Sequence, residues 1–235
     1  MQTEPEKLKV VVGERDSVTA LLYTAEKKER AGLTVLLGHG AGANQLSGFM
    51  REFAHGLAAR GFDAMTFNFI YMEQGRHVPD QKAKLESCYR AVIAAALNDK
   101  KLKKNRLVIG GKSMGGRIAS QVAASTTEKV DKIVESISGL AFLGYPLHPP
   151  GNPEKLRAEH LKSVRAPMLF VQGTRDSLGA ADEIRTIIKQ LHLPATLFSI
   201  EGGDHSFKVP KSFGLTQAQV YEIVLDEMAR WMLSL

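Results

Sequence analysis

The sequence has little cysteine and no long apolar run, and these absences exclude several classes of protein. Cys88 is the only cysteine in 235 residues, which excludes an internal disulfide framework and an all-cysteine metal site. We interpret Cys88, in a helical pattern, as core packing. No run approaches the length of a membrane helix, and the first ten residues carry charges without an apolar signal-peptide core. We therefore expect a cytoplasmic protein that does not enter membranes.

Signals for metals, nucleotides and nucleic acids are also missing. His39, His148 and His160 lack partners at the spacing of zinc ligands, and no G-x-x-x-x-G-K-[ST] phosphate loop occurs. We predict no metal and no cofactor. The net charge of +6 is scattered, apart from a basic cluster between Lys100 and Arg106. Because no aromatic or recognition-helix motif accompanies the cluster, we interpret it as a solvated turn and expect no nucleic-acid binding.

The remaining sequence alternates apolar strand patterns with amphipathic helix patterns. Apolar residues make up 44% of the chain and no linker-like stretch divides it, so we predict one α/β domain over residues 1–235. Strands at 7–12 and 17–23 are expected to form an antiparallel edge. Further strands are predicted at 33–37, 62–69, 107–109, 140–143, 166–173 and 195–200, and helices at 49–60, 81–98, 116–124, 181–191 and 217–235. Residues 130–138 fit a helix or a strand. We expect a mostly parallel central sheet flanked by helices.

The most informative stretch is LVIGGKSMGGRIAS, residues 107–120, in which an apolar strand enters a glycine-rich turn and a helix leaves it. Gly111 to Gly115 fit the G-x-S-x-G nucleophile elbow, in which a strained backbone pushes the Ser113 hydroxyl out of the turn. The glycines are needed because a Cβ at either position would collide with the adjacent strand or helix. The alternative is a glycine-rich connection with a helix-capping serine.

Partners for Ser113 follow two later strands. Asp176 comes after the strand at 166–173 and His205 after the strand at 195–200, in the chain order of the α/β-hydrolase triad. A serine hydroxyl is a poor nucleophile unless an imidazole takes its proton, and a buried carboxylate must orient that imidazole. The alternatives are a turn or capping aspartate and a surface histidine. Asp204, adjacent to the histidine, would point away from it, and Asp182 is the other nearby candidate acid.

The loop GHGAGA after the strand at 33–37 is rich in small residues, which leave backbone N–H groups accessible. In elbow hydrolases this loop supplies one oxyanion donor and the residue after the serine supplies the other. We assign these donors to the N–H groups of Ala41, to within one residue, and Met114. A flexible turn is the alternative for the loop.

Substrate contacts are expected from segments at the carboxyl edge of the sheet, where open α/β sheets bind ligands. We predict that His39, Tyr71, Met72 and Tyr145 contact substrate. The segment at 70–79 is either a pocket wall or an ordinary loop. Four prolines between 146 and 153 stiffen the segment at about 145–162, which we interpret as a short cap, with a rigid surface loop as the alternative.

Together, the GHGAGA loop, the elbow, YMEQGRHVPD, GYPLHPPGNPEKLR, GTRD and GGDHSF resemble a known family. It is the α/β-hydrolase-like family that groups bacterial dienelactone-hydrolase-related proteins with animal testis-expressed proteins and a subunit of the NSL chromatin complex. The resemblance extends from about Leu33 to the C-terminus. It implies an α/β-hydrolase fold and places the triad on Ser113, Asp176 and His205. Dienelactone hydrolases use a cysteine nucleophile, whereas this chain has serine at that position.

The leading hypothesis is a serine hydrolase that cleaves small acyl esters or thioesters through an acyl-enzyme on Ser113. Its partner would be a small-molecule acyl substrate. Two alternatives remain: a non-catalytic module that binds a partner protein, and a peptidase-type acyl hydrolase.

Overall fold

The computed structural model describes residues 4–125 and 131–235, which contain eight strands joined in one sheet. The strands are β1 (Glu6–Val12), β2 (Asp16–Tyr23), β3 (Leu33–Gly38), β4 (Asp63–Phe67), β5 (Arg106–Lys112), β6 (Ile137–Leu143), β7 (Met168–Gly173) and β8 (Ala195–Ile200). Their spatial order is β1-β2-β4-β3-β5-β6-β7-β8. The pairs β1–β2 and β2–β4 are antiparallel and the remaining pairs are parallel. The predicted sheet with an antiparallel edge is confirmed.

Helices cover both faces of this sheet. Within the described ranges they are α1 (Gly48–Ala59), α2 (Ile70–Glu73), α3 (Lys82–Asn98), α4 (Met114–Ala123), α5 (Lys132–Glu135), α6 (Ala181–Gln190) and α7 (Gln217–Leu233). Val35 and Leu37 of β3 are buried with α1 and α7, whereas Leu36 is buried with α3 and α4. Successive side chains of a strand point to opposite faces, so a strand covered on both faces is apolar throughout. The arrangement confirms the predicted α/β-hydrolase fold.

The register of the parallel strands brings their carboxyl ends to one edge. Gly38 at the end of β3 lies opposite Gly111 of β5, and Gly173 at the end of β7 lies opposite Ile200 at the end of β8. The loops that follow these strands therefore leave the sheet side by side. This edge is where an open α/β sheet places its ligand site.

The ambiguous stretch at 130–138 contains two elements. Lys132–Glu135 form the single helical turn α5, which begins after Asp131, whose carboxylate accepts a hydrogen bond of 3.0 Å from the Ile133 N–H. Strand β6 then begins at Ile137, three residues before the predicted start of this strand. Val130 lies outside the described residues. A four-residue helix is too short for hydrophobic periodicity to separate it from a strand.

Most other boundaries shift by one or two residues. β4 ends at Phe67, because the chain turns into α2 instead of extending to residue 69. Cys88 is fully buried, in agreement with its prediction as a core residue. Across 4–125 and 131–235, every helix is too short or too polar to cross a bilayer. The single domain over residues 1–235 stays a prediction.

Candidate active site

Ser113 lies at the corner between β5 and α4 in a strained backbone conformation. Its φ is 52° and its ψ is −116°, in a region that non-glycine residues rarely adopt. Such a conformation costs about 1–3 kcal/mol and persists only where the surrounding structure enforces it. A Cβ added at Gly111 or at Gly115 would lie 2.1 Å from the Gly38 carbonyl oxygen. Both glycines are therefore required for β5 and α4 to approach β3 closely enough to form this corner.

The structure brings Asp176 and His205 together. His205 Nδ1 lies 2.8 Å from Asp176 Oδ2, and the Asp176 side chain is fully buried whereas that of His205 is 25% exposed. Asp176 Oδ1 also accepts a hydrogen bond of 2.9 Å from the Leu178 N–H. An ionised carboxylate only accepts hydrogen bonds, so Nδ1 carries the proton and Nε2 is left as the base. This is the tautomer that can take a proton from a serine hydroxyl.

The other two acids considered from the sequence have different partners. Asp204 Oδ1 accepts hydrogen bonds of 2.7 and 2.9 Å from the backbone N–H groups of Ser206 and Lys208. Asp182, exposed on α6, pairs with Arg185. Among the described residues, Asp176 is the carboxylate bound to His205.

Ser113 and His205 are connected through the end of β6. The Ser113 N–H donates a hydrogen bond of 3.1 Å to the Leu143 carbonyl, and a Cβ added at the next residue, Gly144, would lie 3.3 Å from His205 Nδ1. No direct hydrogen bond joins Ser113 Oγ to His205 Nε2 within the described part of the chain. In enzymes without substrate, this bond is often long and tightens only in the reacting complex.

The loop after β3 lies against the serine. A Cβ added at Gly40 would be 3.6 Å from Ser113 Cβ. Met114 is the first residue of α4, so its N–H has no acceptor within the helix, and Ala41 is exposed in the loop. The N–H groups of Ala41 and Met114 therefore remain our candidate oxyanion donors.

Three of the residues expected to contact substrate are instead completely buried: His39, Tyr71 and Tyr145. His39 Nδ1 lies 2.8 Å from the Gly40 carbonyl oxygen, and Nε2 accepts a hydrogen bond of 3.1 Å from the Phe69 N–H. Burial lowers the pKa of His39 to about 4, so the ring is neutral and bridges two backbone segments. The expectation that His39 contacts substrate is thus corrected: its ring holds the loop after β3 against the start of α2.

Both tyrosines also anchor backbone. The Tyr71 hydroxyl donates a hydrogen bond of 2.9 Å to the Ala41 carbonyl, and the Tyr145 hydroxyl donates one of 2.9 Å to the Arg157 carbonyl. Their predicted substrate contact is wrong in this structure because the core covers both rings and their polar atoms are satisfied internally. Met72 is partly exposed, and its contact with substrate stays a prediction.

Gln172 orients the acid, a role that the sequence reasoning missed. This fully buried residue of β7 donates hydrogen bonds of 2.8 Å to Asp176 Oδ2 and 2.6 Å to the Gly179 carbonyl, and its Oε1 accepts one of 2.7 Å from the Tyr145 N–H. Gln172 therefore links the loop after β6 to the loop after β7 that carries Asp176, which we call the acid loop. The available signal was one amide in the otherwise apolar strand MLFVQG.

The proline-rich segment at about 145–162 is buried at its beginning and reaches the surface further along the chain. Tyr145 and His148 are buried, and the His148 N–H donates a hydrogen bond of 3.1 Å to the Leu178 carbonyl in the acid loop. The stretch from Pro153 to Leu156 is exposed. The predicted cap at about 145–162 is thus packed beside the acid loop over its first residues, and closure over the serine stays a prediction.

Comparison with known proteins agrees with the fold. The family model described as "Alpha/beta hydrolase domain" matches residues 31–233, so the chain belongs to that family. The structure is similar to dienelactone hydrolase from Anabaena variabilis, with a TM-score of 0.75 and 18% identity over 100% of this chain and 99% of that one. It is also similar to a serine hydrolase without a lid from Xanthomonas campestris, with a TM-score of 0.72 and 17% identity over 98% of this chain and 96% of that one.

A third similar structure is Est1E from Butyrivibrio proteoclasticus, with a TM-score of 0.68 and 15% identity over 95% of this chain and 99% of that one. At such identities the likeness concerns the fold. The predicted membership of the α/β-hydrolase superfamily is confirmed, and the kinship with testis-expressed proteins and an NSL-complex subunit stays a prediction.

Proposed function

We propose that this protein is a serine hydrolase that cleaves small acyl esters or thioesters through an acyl-enzyme on Ser113. The observation that carries the proposal is the Asp176–His205 pair, held at 2.8 Å on the sheet edge where Ser113 occupies a strained corner. A turn serine and a surface histidine would require neither the strain nor a fully buried carboxylate. The family match supports the same reading.

In the proposed reaction, His205 Nε2 takes the proton from Ser113 Oγ while that oxygen attacks the acyl carbonyl carbon. The N–H groups of Ala41 and Met114 stabilise the oxyanion, and Asp176 stabilises the imidazolium. His205 then gives its proton to the departing alcohol or thiol, leaving the acyl group on Ser113. A water molecule, activated by the same imidazole, hydrolyses this ester and restores the serine.

The packing around the site supports a small substrate. The segment at about 145–162 is short, and its first residues, from Tyr145 to His148, are buried beside the acid loop. Little chain is left to enclose a long acyl group, so we propose acyl substrates of modest size.

We further propose that the protein acts in the cytoplasm on a small molecule, without nucleic-acid or membrane partners. Cys88 is buried and burial raises the pKa of its thiol to about 12, so it stays protonated and takes no part in the reaction. A free, unreactive cysteine suits a reducing compartment.

The test is turnover of a substrate panel by the wild type, Ser113→Ala and Ser163→Ala. The panel contains p-nitrophenyl esters of increasing acyl length, matched acyl thioesters and short peptides. Ser163 is an exposed serine outside the site and serves as the control. We expect Ser113→Ala to abolish ester and thioester turnover and Ser163→Ala to leave it unchanged.

Unchanged turnover in Ser113→Ala would contradict the proposal. Cleavage of peptides alone would favour the peptidase alternative. A folded wild type that turns over none of the panel would favour the binding-module alternative.

A further inference from the structure

Lys112, the residue just before Ser113, is a buried charge that the proposed reaction does not use. It is the last residue of β5 and is only 9% exposed. Lysine is rarely buried this deeply unless a partner holds it. Among the described residues no carboxylate lies within ion-pair distance of its ammonium, so its partner must be of another kind.

That partner is the backbone of the loop after β8, which carries His205. Lys112 Nζ donates a hydrogen bond to the carbonyl oxygen of His205. The ammonium also lies 5.7 Å from the ring centroids of both Phe49 and Phe207, at cation–π distance. Phe207, two residues after His205, has a φ of 65°, a costly conformation for a phenylalanine. The loop that carries the histidine therefore contains one residue in a costly conformation, and Lys112 Nζ contacts this loop at the His205 carbonyl and beside the Phe207 ring.

The same lysine touches the other parts of the site. A Cβ added at Gly40 in the oxyanion loop would lie 3.7 Å from Lys112 Cγ. A Cβ added at Gly144, after β6, would lie 2.8 Å from Nζ and 3.0 Å from the His205 carbonyl oxygen. The absence of a side chain at Gly144 thus leaves the space that the lysine and the histidine backbone share.

We propose that Lys112 is a positioning residue, whose ammonium links the His205 backbone to the end of β5, directly before Ser113, and so sets the distance between base and nucleophile. This inference rests on the proposed function. It assigns Lys112 no contact with substrate; its effect passes through His205.

The strength of this link, the hydrogen bond from Lys112 Nζ to the His205 carbonyl, depends on the charge of the lysine. We call this link the tie. The charged and titratable groups facing it are the Asp176 and Asp204 carboxylates and the His205 imidazole. Burial lowers the pKa of Lys112 to about 8, against the opposing attraction of the two carboxylates. Above that pH the amine becomes neutral, and its hydrogen bond to the carbonyl loses the strength that a charged donor gives. The turnover number should therefore fall as the pH rises past about 8.

The test compares the pH dependence of ester hydrolysis in the wild type, Lys112→Arg, Lys112→Met and a control, Lys208→Met. Lys208 is exposed on the same loop, so its substitution removes one positive charge without touching the tie. We expect Lys112→Met to lower kcat about tenfold or more with KM nearly unchanged, because misplacing a base affects the reaction step more than binding. Lys112→Arg, which stays charged, should recover most of kcat and lack the decline above pH 8.

Wild-type kcat and an unchanged alkaline decline in Lys112→Met would overturn the inference. Lys112→Gln, a neutral donor, replaces Lys112→Met if the latter does not fold. Amide hydrogen exchange of residues 204–208 gives a second readout that needs no activity, and we expect it to quicken in Lys112→Met. If the wild type shows no Ser113-dependent turnover, the proposed function fails, and unchanged exchange of this segment would separately refute the tie.

Discussion

Burial of the Lys112 ammonium should make the free energy of unfolding rise as the pH increases from about 8 to 10.5. A surface lysine with an ordinary pKa gives no such rise. The ordinary lysine pKa of 10.5 is lowered to about 8 in the folded chain. Between these two values the unfolded chain binds the proton and the folded chain does not, so raising the pH favours folding. Below pH 8 both states are protonated and the charged lysine destabilises the fold. The penalty is relieved as the pH rises from about 8 to 10.5.

The size of the effect follows from the shift. At 1.36 kcal/mol for each pKa unit, moving from 10.5 to about 8 corresponds to about 3 kcal/mol in all, of which about 2 kcal/mol should develop between pH 7 and 9.5. Lys112→Met has no titrating group at this position. The free energy of unfolding of the wild type should therefore rise by about 2 kcal/mol relative to Lys112→Met over that range.

The assay is urea denaturation of both proteins at several pH values between 7 and 9.5. Other titrating groups affect both proteins alike and cancel in the difference. The charge-dependent part of the hydrogen bond to the His205 carbonyl is already contained in the pKa shift of Lys112, and only its charge-independent part shifts the two stability curves by a constant amount. If the free energies of unfolding of the wild type and Lys112→Met changed in parallel with pH, Lys112 would titrate as an ordinary surface lysine, and the reasoning would be refuted.

Two further predictions concern backbone contact and the acid. Gly115→Ala places a Cβ 2.1 Å from the Gly38 carbonyl oxygen and should lower the free energy of unfolding by about 3 kcal/mol or more, whereas Gly42→Ala, with open space around its Cβ, should cost at most about 1 kcal/mol. Equal denaturation midpoints for the two variants would contradict the close approach of α4 to β3. Gln172→Ala leaves the buried Tyr145 N–H without its acceptor and removes one of the two hydrogen bonds at Asp176 Oδ2, the other being that to His205, which should cost about 1–3 kcal/mol and lower kcat. Thermal unfolding and ester kinetics check both effects, and wild-type values in each would show that Gln172 is dispensable.

The sequence could locate the candidate triad because each member follows a strand. The apolar runs before Ser113, Asp176 and His205 mark β5, β7 and β8, and parallel strands deliver their following loops to one edge. Chain order and strand ends are properties of the sequence, so the placement of these three residues needed no knowledge of long-range contacts.

Other roles depend on partners that are distant in the chain. His39 and Tyr71 were expected to contact substrate because they lie in loops at the sheet edge, yet their polar atoms are satisfied by Gly40, Phe69 and Ala41. The hydrophobic periodicity of a sequence does not indicate which backbone group a buried histidine or tyrosine will contact by a hydrogen bond. The same holds for Lys112, whose acceptor lies 93 residues further along the chain.

The most direct test of the central claim is intact-mass analysis after incubation with a fluorophosphonate, for the wild type, Ser113→Ala and His205→Ala. We predict a single adduct on the wild type that is absent from both variants, because the reagent labels a serine only when a base activates it. An adduct that survives Ser113→Ala, or a folded wild type that forms none, would contradict the assignment of Ser113 as a base-activated nucleophile.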